Sequence, residues 1–139
     1  MDINIYLHFQ GQATKALAYY EDVFGNRPSR VEKFSGMPPN PAFAPMPEEY
    51  KHLIAYSEIE ILGTKVMISD TFPDMPFNEG TNFSILVQSE NQTLLTEYYD
   101  KLASEGEVIM EMGETHWSPS YGSLLDKFNV RWQFSAYRK

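Results

Sequence analysis

A five-residue string that opens on Tyr-Tyr and an acid and ends on an aliphatic residue occurs in two similar copies in this chain. Tyr19-Tyr20-Glu21-Asp22-Val23 is answered by Tyr98-Tyr99-Asp100-Lys101-Leu102 at a spacing of 79 residues (Tyr19 to Tyr98). The same spacing lays one strand candidate, the alternating residues 3–9, on another, residues 82–88. Two coincident elements at one spacing mark an internal duplication. The chain is therefore expected to fold as two copies of one small unit, and its 139 residues suit a single domain, 1–139, that holds both.

The elements of each copy follow from periodicity. Residues 3–9 set Ile3, Ile5, Leu7 and Phe9 against Asn4, Tyr6 and His8, the two-residue period of a strand. After Gly11, Ala13, Ala16, Leu17, Tyr20 and Phe24 recur at helical spacing, and Gly25 stands where a helix C-terminal cap belongs, so 12–24 reads as a helix. A short strand over 30–34 is followed by a loop, 36–49, that holds five of the nine prolines. Strands 52–62 and 65–71 are joined by a tight turn at Gly63-Thr64. Residues 72–81, with Pro73, Pro76 and Gly80, form a linker. The order then repeats. A strand over 82–88 leads to a helix over 92–105 marked by Leu94, Leu95, Tyr98 and Leu102, and strands follow over 107–112, 115–124 and 130–137. The expected fold class is α+β: two βαβββ modules, 3–71 and 82–137, forming a cup-shaped mixed β-sheet with helices on the outer face. One face of each sheet is covered by its helix. The other is left to line a concavity, the usual place for a small ligand.

Charge and composition exclude several partners. With 11 basic and 19 acidic residues the net charge is −8, and no basic cluster offsets it, so neither nucleic acid nor an anionic membrane is an expected partner. The absence of cysteine removes disulfides, thiolate catalysis and Cys-based zinc sites. The N-terminus shows no basic start and no apolar run, and no apolar stretch approaches the roughly 18 residues of a membrane helix. The expected location is cytoplasmic. Nine Tyr and nine Phe point to a core or pocket lined by rings. Neither a glycine-rich nucleotide loop nor a G-x-S-x-G nucleophile elbow occurs.

Residues 115–134 carry a longer signature: Trp117, then Tyr121-Gly122, then Asp126-x-Phe128-Asn129, then Trp132-Gln133. This resembles the C-terminal pattern of the PhnB-like branch of the vicinal oxygen chelate superfamily, which also contains glyoxalases, ring-cleaving dioxygenases and bleomycin-resistance proteins. Leu7-x-Phe9-x-Gly11-x-Ala13, Ala16-Leu17, Tyr20 and Ser69-Asp70 fit the same pattern. Asn129 stands at a family glycine, and Asn tolerates the left-handed backbone better than most residues. Tyr56 stands where the family has a His. Metal-using relatives place His, Glu or Gln on the first and last strands of each unit. Carried over one residue at a time, those places fall on Ile5, on Met67 or Ser69, on Ser84 and on Gln133. That set holds neither imidazole nor carboxylate, so the resemblance implies a metal-free member with no cofactor. A metal held through His8, Asp70 and Gln133 would need strands to slip by one residue, which turns every side chain to the opposite face. Some relatives carry a methyltransferase name, but no glycine-rich loop follows the first strand to cradle a nucleoside cofactor.

The candidate ligand-binding residues are Ile5, Leu7 and Met67 in the first module. In the second they are Ser84, His116, Trp117, Tyr121, Arg131 and Gln133. On the last strand Trp132 and Phe134 form the large apolar pair, so their face is expected under a helix, with Gln133 turned into the concavity beside Ser84 and Ile5. His8 is expected under the first helix, and Glu58 and Glu60 on an exposed outer face. His116-Trp117 reads either as an acid/base and stacking pair or as a packed Trp beside an exposed His. Asp126 is expected to cap the turn into the last strand. Two functions stay open: binding of a small organic molecule without metal, or a lyase, isomerase or dioxygenase reaction that uses a divalent metal. No catalytic residue is identified. Exposed sheet edges, and the two-fold dimers the resemblance implies, lead to the expectation of a homodimer.

Overall fold

The computed structural model describes residues 1–42, 45–72 and 74–138. Among them the chain forms, in order, β1 (Ile5–Phe9), α1 (Ala13–Phe24), β2 (Arg30–Lys33), β3 (Ile54–Ile61), β4 (Thr64–Asp70), β5 (Ile85–Ser89), α2 (Gln92–Ala103), β6 (Glu107–Gly113), β7 (Tyr121–Leu125) and β8 (Arg131–Ala136). The first sheet has the order β1-β4-β3-β2 and the second β5-β8-β7-β6. In each, the first strand pairs in parallel with the last and the other neighbours are antiparallel. The same order twice makes this an α+β protein of two βαβββ modules. They fall in two compact units, Met1–Phe77 and Asn78–Lys139. No helix among the described residues is long and apolar enough to cross a membrane.

Burial decides which way each strand faces. In the second sheet Trp132 lies between Ile85 and Leu124, and Phe134 between Val87 and Gly122. Trp132, Phe134 and Leu124 are buried, and the Tyr99 ring of α2 meets Phe134 edge-on at 6.0 Å. Burying each large apolar side chain contributes roughly 1.5–3 kcal/mol, so turning β8 over would lose two such terms and bury Arg131 and Gln133 instead. In the first sheet Ile59, Val66 and Ile68 form the corresponding buried layer. Ile5 pairs with Val66 and Leu7 with Ile68, so both lie in that layer.

Each module is pinned by one buried aspartate. α1 lacks a side-chain cap of its own at Gln12. Asp70, from the end of β4, supplies it: Oδ1 accepts from the Gly11 and Ala13 amides at 2.9 and 3.0 Å, while Oδ2 accepts from the Ile54 amide at 3.0 Å. In the second module Asp126 Oδ1 accepts from the Phe128 and Val130 amides at 2.8 and 3.1 Å, and Oδ2 accepts from Trp132 Nε1 at 2.9 Å. Asp126 thus shapes the expected turn into β8, and Asn129 in that turn has φ 65°, the left-handed conformation its side chain tolerates. α2 starts on a cap of its own, the Asn91 side chain accepting from the Leu94 amide at 3.0 Å.

Three expectations shift. The β3–β4 turn is Leu62-Gly63, with φ of 50° and 83°, and Thr64 already pairs with Ile61. Two successive positive φ values make the type I′ hairpin that matches strand twist. The second helix stops at Ala103, before Gly106. Residues 115–120 are not strand. Ser118 Oγ lies 2.8 Å from both the Ser120 and Ala136 carbonyl oxygens, which share its one hydrogen, and Thr115 bonds the Ser118 backbone, so local side-chain bonds replace the ladder and make a loop that presents His116 and Trp117.

Candidate functional site

The open face of the second sheet gathers most of the residues the sequence nominates. Arg131 and Gln133 lie on the side of β8 opposite Trp132 and Phe134. Gln133 is half-buried, and its Nε2 donates to Ser84 Oγ at 2.7 Å while its Oε1 accepts a short bond from the Tyr121 hydroxyl. The Tyr121 ring meets Trp117 edge-on at 5.3 Å, and Trp117 meets His116 at 4.9 Å. Ser84, Gln133, Tyr121, Trp117 and His116 therefore form one unbroken line of contacts. Trp117 is 52% exposed, so its ring is available at the end of that line. Arg131 Nη1 donates to the Thr81 carbonyl at 3.2 Å, and among the described residues it forms no ion pair.

Gly122, between Tyr121 and Ser123, explains the Tyr-Gly pair of the motif. A Cβ there would lie 2.9 Å from Tyr99 Cε2 and 2.6 Å from Met112 Sδ. The Tyr99 ring packs over the bare backbone, and its hydroxyl donates to the Met110 carbonyl at 3.0 Å. Burial pushes the Tyr99 hydroxyl above its ordinary pKa.

The first module departs from expectation. Ile5 and Leu7, nominated for ligand contact, are on the α1 side of the sheet with Val66 and Ile68. The opposite face of β1 carries Tyr6 and His8, stacked at 4.3 Å with planes 7° apart. His8 is not under α1 but exposed, with Nδ1 3.4 Å from Ser69 Oγ. Met67 lies on that same open face, paired with Tyr6 and Glu58. Glu58, expected in the open with Glu60, is half-buried and accepts a short bond from the Tyr56 hydroxyl. That bond holds the Tyr56 pKa above its ordinary value. The Arg30 guanidinium lies 5.0 Å from the centre of the Tyr56 ring. Sequence reasoning missed Tyr6, Tyr56 and Arg30 as a group. The signal was present: β1 puts its apolar residues to the core, so its polar side is the open one.

The register gives the reason. Phe9 accepts from the Thr71 amide and Ser89 from the Tyr137 amide, so Phe9 and Ser89 are equivalent, and so are Ile5 and Ile85. The first strands repeat at 80 residues (Ile5 to Ile85), whereas α1 and α2 repeat at 79 (Ala13 to Gln92). That single residue turns the strand over.

A recess of about 780 Å³ in the first unit is lined by Phe34, Met37, Pro45, Met46 and Phe72 among others. None of the nominated residues lines it.

Neither metal nor nucleoside cofactor fits the places where it would be sought. Of the four positions that metal-using relatives fill, Ile5 is on the helix side, Met67 offers a thioether, and Ser84 and Gln133 bond one another. Hard divalent ions want carboxylate oxygens there, and borderline ones such as Zn or Ni want imidazole as well. Asp70, which a slipped register would enlist with His8, is instead buried on the α1 side and bonded to three amides. Among the described residues no three His, Asp or Glu side chains gather as a metal-holding group. At the turn between β1 and α1, where a phosphate or nucleoside would seek free amides, the Gly11 and Ala13 N–H groups are taken by the Asp70 carboxylate.

Comparison with known proteins places this geometry. The family model described as 3-demethylubiquinone-9 3-methyltransferase matches residues 1–135. Protein YjdN of Escherichia coli (strain K12) is 26% identical over 147 residues, covering 100% of this chain and 97% of that protein. Protein PA1353 from Pseudomonas aeruginosa superposes with a TM-score of 0.86 at 24% identity, over 100% of this chain and 99% of that one. The PhnB protein from Bacillus cereus gives 0.78 at 22%, over 98% and 99%. The genomically encoded fosfomycin resistance protein FosX from Listeria monocytogenes gives 0.67 at 14%, over 99% and 94%.

Proposed function

Since this chain belongs to the family described as 3-demethylubiquinone-9 3-methyltransferase and has the two-module fold of vicinal oxygen chelate proteins, we propose that it is a PhnB-like member that binds a small organic molecule on the open face of its second sheet, without a divalent metal. The observation that carries this reading is the line Ser84–Gln133–Tyr121–Trp117–His116. Amide and hydroxyls orient a polar group of the ligand, and the exposed Trp117 ring stacks on its body. Gln133, at a place where metal-using relatives have a ligand, touches only neutral partners and has no charge to hold an ion. The methyl transfer in the family's description is not part of this proposal, because the amides that would meet a nucleoside cofactor are engaged by Asp70. The reading includes a cytoplasmic location and a homodimer. The outer strands β2 and β6 each leave one edge unpaired by their own sheet, and an edge is what a second copy can cover.

Mass spectrometry of the small molecules released on denaturing the purified protein, beside elemental analysis of protein made without a metal-binding tag, tests the proposal. An organic molecule with no stoichiometric Zn, Ni, Mn or Fe is the expected result. A stoichiometric metal would favour the lyase, isomerase or dioxygenase alternative. Gln133→Ala should lose the released molecule while costing the fold at most about 1 kcal/mol in urea unfolding.

A further inference from the structure

We infer that the molecule held on this face carries an oxyanion, a carboxylate or a phosphonate, on a planar body. The inference rests on the reading above and on two independent features of the second module.

The first is a count of hydrogens. Tyr121 and Ser84 have one hydroxyl hydrogen each and the Gln133 amide has two. The two bonds that join them use two of the four. Turning the amide over exchanges which hydroxyl donates and which accepts, but it does not change the count. Two donor hydrogens, one on the amide and one on a hydroxyl, are left over from the bonds of the line. A bound oxygen with several lone pairs satisfies both.

The second is charge. On the open face of β5, β8 and β7 the register places Leu86 and Gln88, then Arg131, Gln133 and Ser135, then Tyr121, Ser123 and Leu125, with Ser84 just before β5. Not one of these is acidic, in a chain whose net charge is −8. The single charged member is Arg131. Within the sheet the nearest carboxylate by register is Glu107 on the outer strand β6, two strands from Arg131 across Leu125; beside the sheet, Glu79 Oε1 accepts from Asn129 Nδ2 at 3.4 Å, and among the described residues neither acid forms an ion pair with Arg131. Arg131 and Gln133 are two residues apart on one strand face, about 7 Å along the strand, so the guanidinium and the two spare donors serve the same face of the sheet. Arg131 keeps most of its five N–H donors after bonding Thr81, in the planar fork that suits a carboxylate or phosphonate. Trp117, at the other end of the line, fixes where the planar body lies.

The test is calorimetry on the full chain with benzoate, its neutral isostere benzamide, and phenylphosphonate. Benzoate or phenylphosphonate should bind at least about tenfold more tightly than benzamide, and the preference between the two anions identifies the oxyanion. Arg131→Gln should weaken the anion about tenfold and leave benzamide unchanged, and Arg131→Lys should recover part of the loss. Should Arg131→Gln fail to fold, the benzoate–benzamide difference in the wild type, and its decline with added salt, decide the matter. Benzamide binding as well as benzoate, with both lost in Gln133→Ala, would overturn the oxyanion and leave the binding site standing. No binding by any of the three probes, or binding indifferent to Gln133→Ala, would overturn both.

Discussion

On the open face of the first sheet Tyr56 donates to Glu58, Lys65 leans on Glu58 at 3.9 Å, and Arg30 pairs with Glu32 while lying over the Tyr56 ring. Acid and base neutralise one another there, and the surface pairs add little to stability. In the second sheet β5, β8 and β7 carry one cation, no acid and a hydrogen-bonded line with donors to spare on that face, and the acid Glu107 stands on the outer strand β6. Strand order, parallel pairing and the buried tyrosines Tyr20 and Tyr99 are the same in both. A duplicated fold therefore leaves the division of labour to the side chains on one face. Met67 stands where the second module has Gln133, and that one exchange removes the amide from the first half.

The comparison can be broken most severely at the two aspartates. Asp70→Ala and Asp126→Ala each strand three donors, two of them buried for Asp70 and one for Asp126, and each should cost about 3 kcal/mol in urea unfolding. A loss below about 1 kcal/mol in either would mean that the module is not pinned as described. Next comes the residue under the buried tyrosine. By register Gly122 takes the place that Ser57 has in the first module. Gly122→Ala should cost about 1–3 kcal/mol because the Tyr99 ring is tethered through Met110. Ser57→Ala, which only loses the bond its hydroxyl donates to the Ile68 carbonyl, should cost about 1 kcal/mol. Equal effects would erase the contrast. The smallest effect has the opposite sign. Leu62 and Asn129 are both left-handed, one in each module, but a branched side chain suits that backbone poorly. Leu62→Asn is expected to raise stability by up to about 1 kcal/mol, read as a higher urea midpoint.

Tyr56 and Tyr99 give a pH contrast of one sign and two causes. Both pKa values are raised, Tyr56 chiefly by its bond to Glu58 and Tyr99 chiefly by burial. A raised folded-state value means that the contribution is present below the unfolded pKa of about 10 and is lost as pH rises through the folded value. Ultraviolet titration should show both phenols ionising above the ordinary phenol range. Glu58→Gln should return Tyr56 toward its ordinary range without moving Tyr99.

How far the fold was legible depended on whether a residue's neighbours in sequence decided its fate. Ala16, Leu17, Tyr20 and Gly25 suffice for α1, and the repeat at Tyr98-Tyr99 for its twin. Gln133 could be faced because Trp132 and Phe134 leave no choice about which side is buried. Ile5 and Leu7 went astray because the carried-over family position of Ile5 ignored where the apolar side of β1 must go, and because the repeat spacing changes by one residue between strand and helix. The Trp117 loop reads as strand in the sequence because Thr115, Ser118 and Ser120 suit either; only their bonds to the backbone distinguish the two. The Asp70 cap was illegible for another reason: its partners lie up to 59 residues away.

That distance has a kinetic side. The ties of Asp126 reach across two, four and six residues, whereas those of Asp70 to Gly11 and Ala13 reach across 59 and 57. Closing a chain segment costs more conformational entropy the longer it is, and contacts between near neighbours in sequence form first. The β7–β8 hairpin, with its aspartate turn and the indole bonded to it, can assemble as a local event on the microsecond scale typical of hairpins. The parallel pairing of β1 with β4 must wait until the proline-rich segment has been drawn in. In refolding the β7–β8 hairpin is therefore expected to be protected before either parallel pairing, β1 with β4 or β5 with β8, an order that hydrogen-exchange labelling during refolding would check.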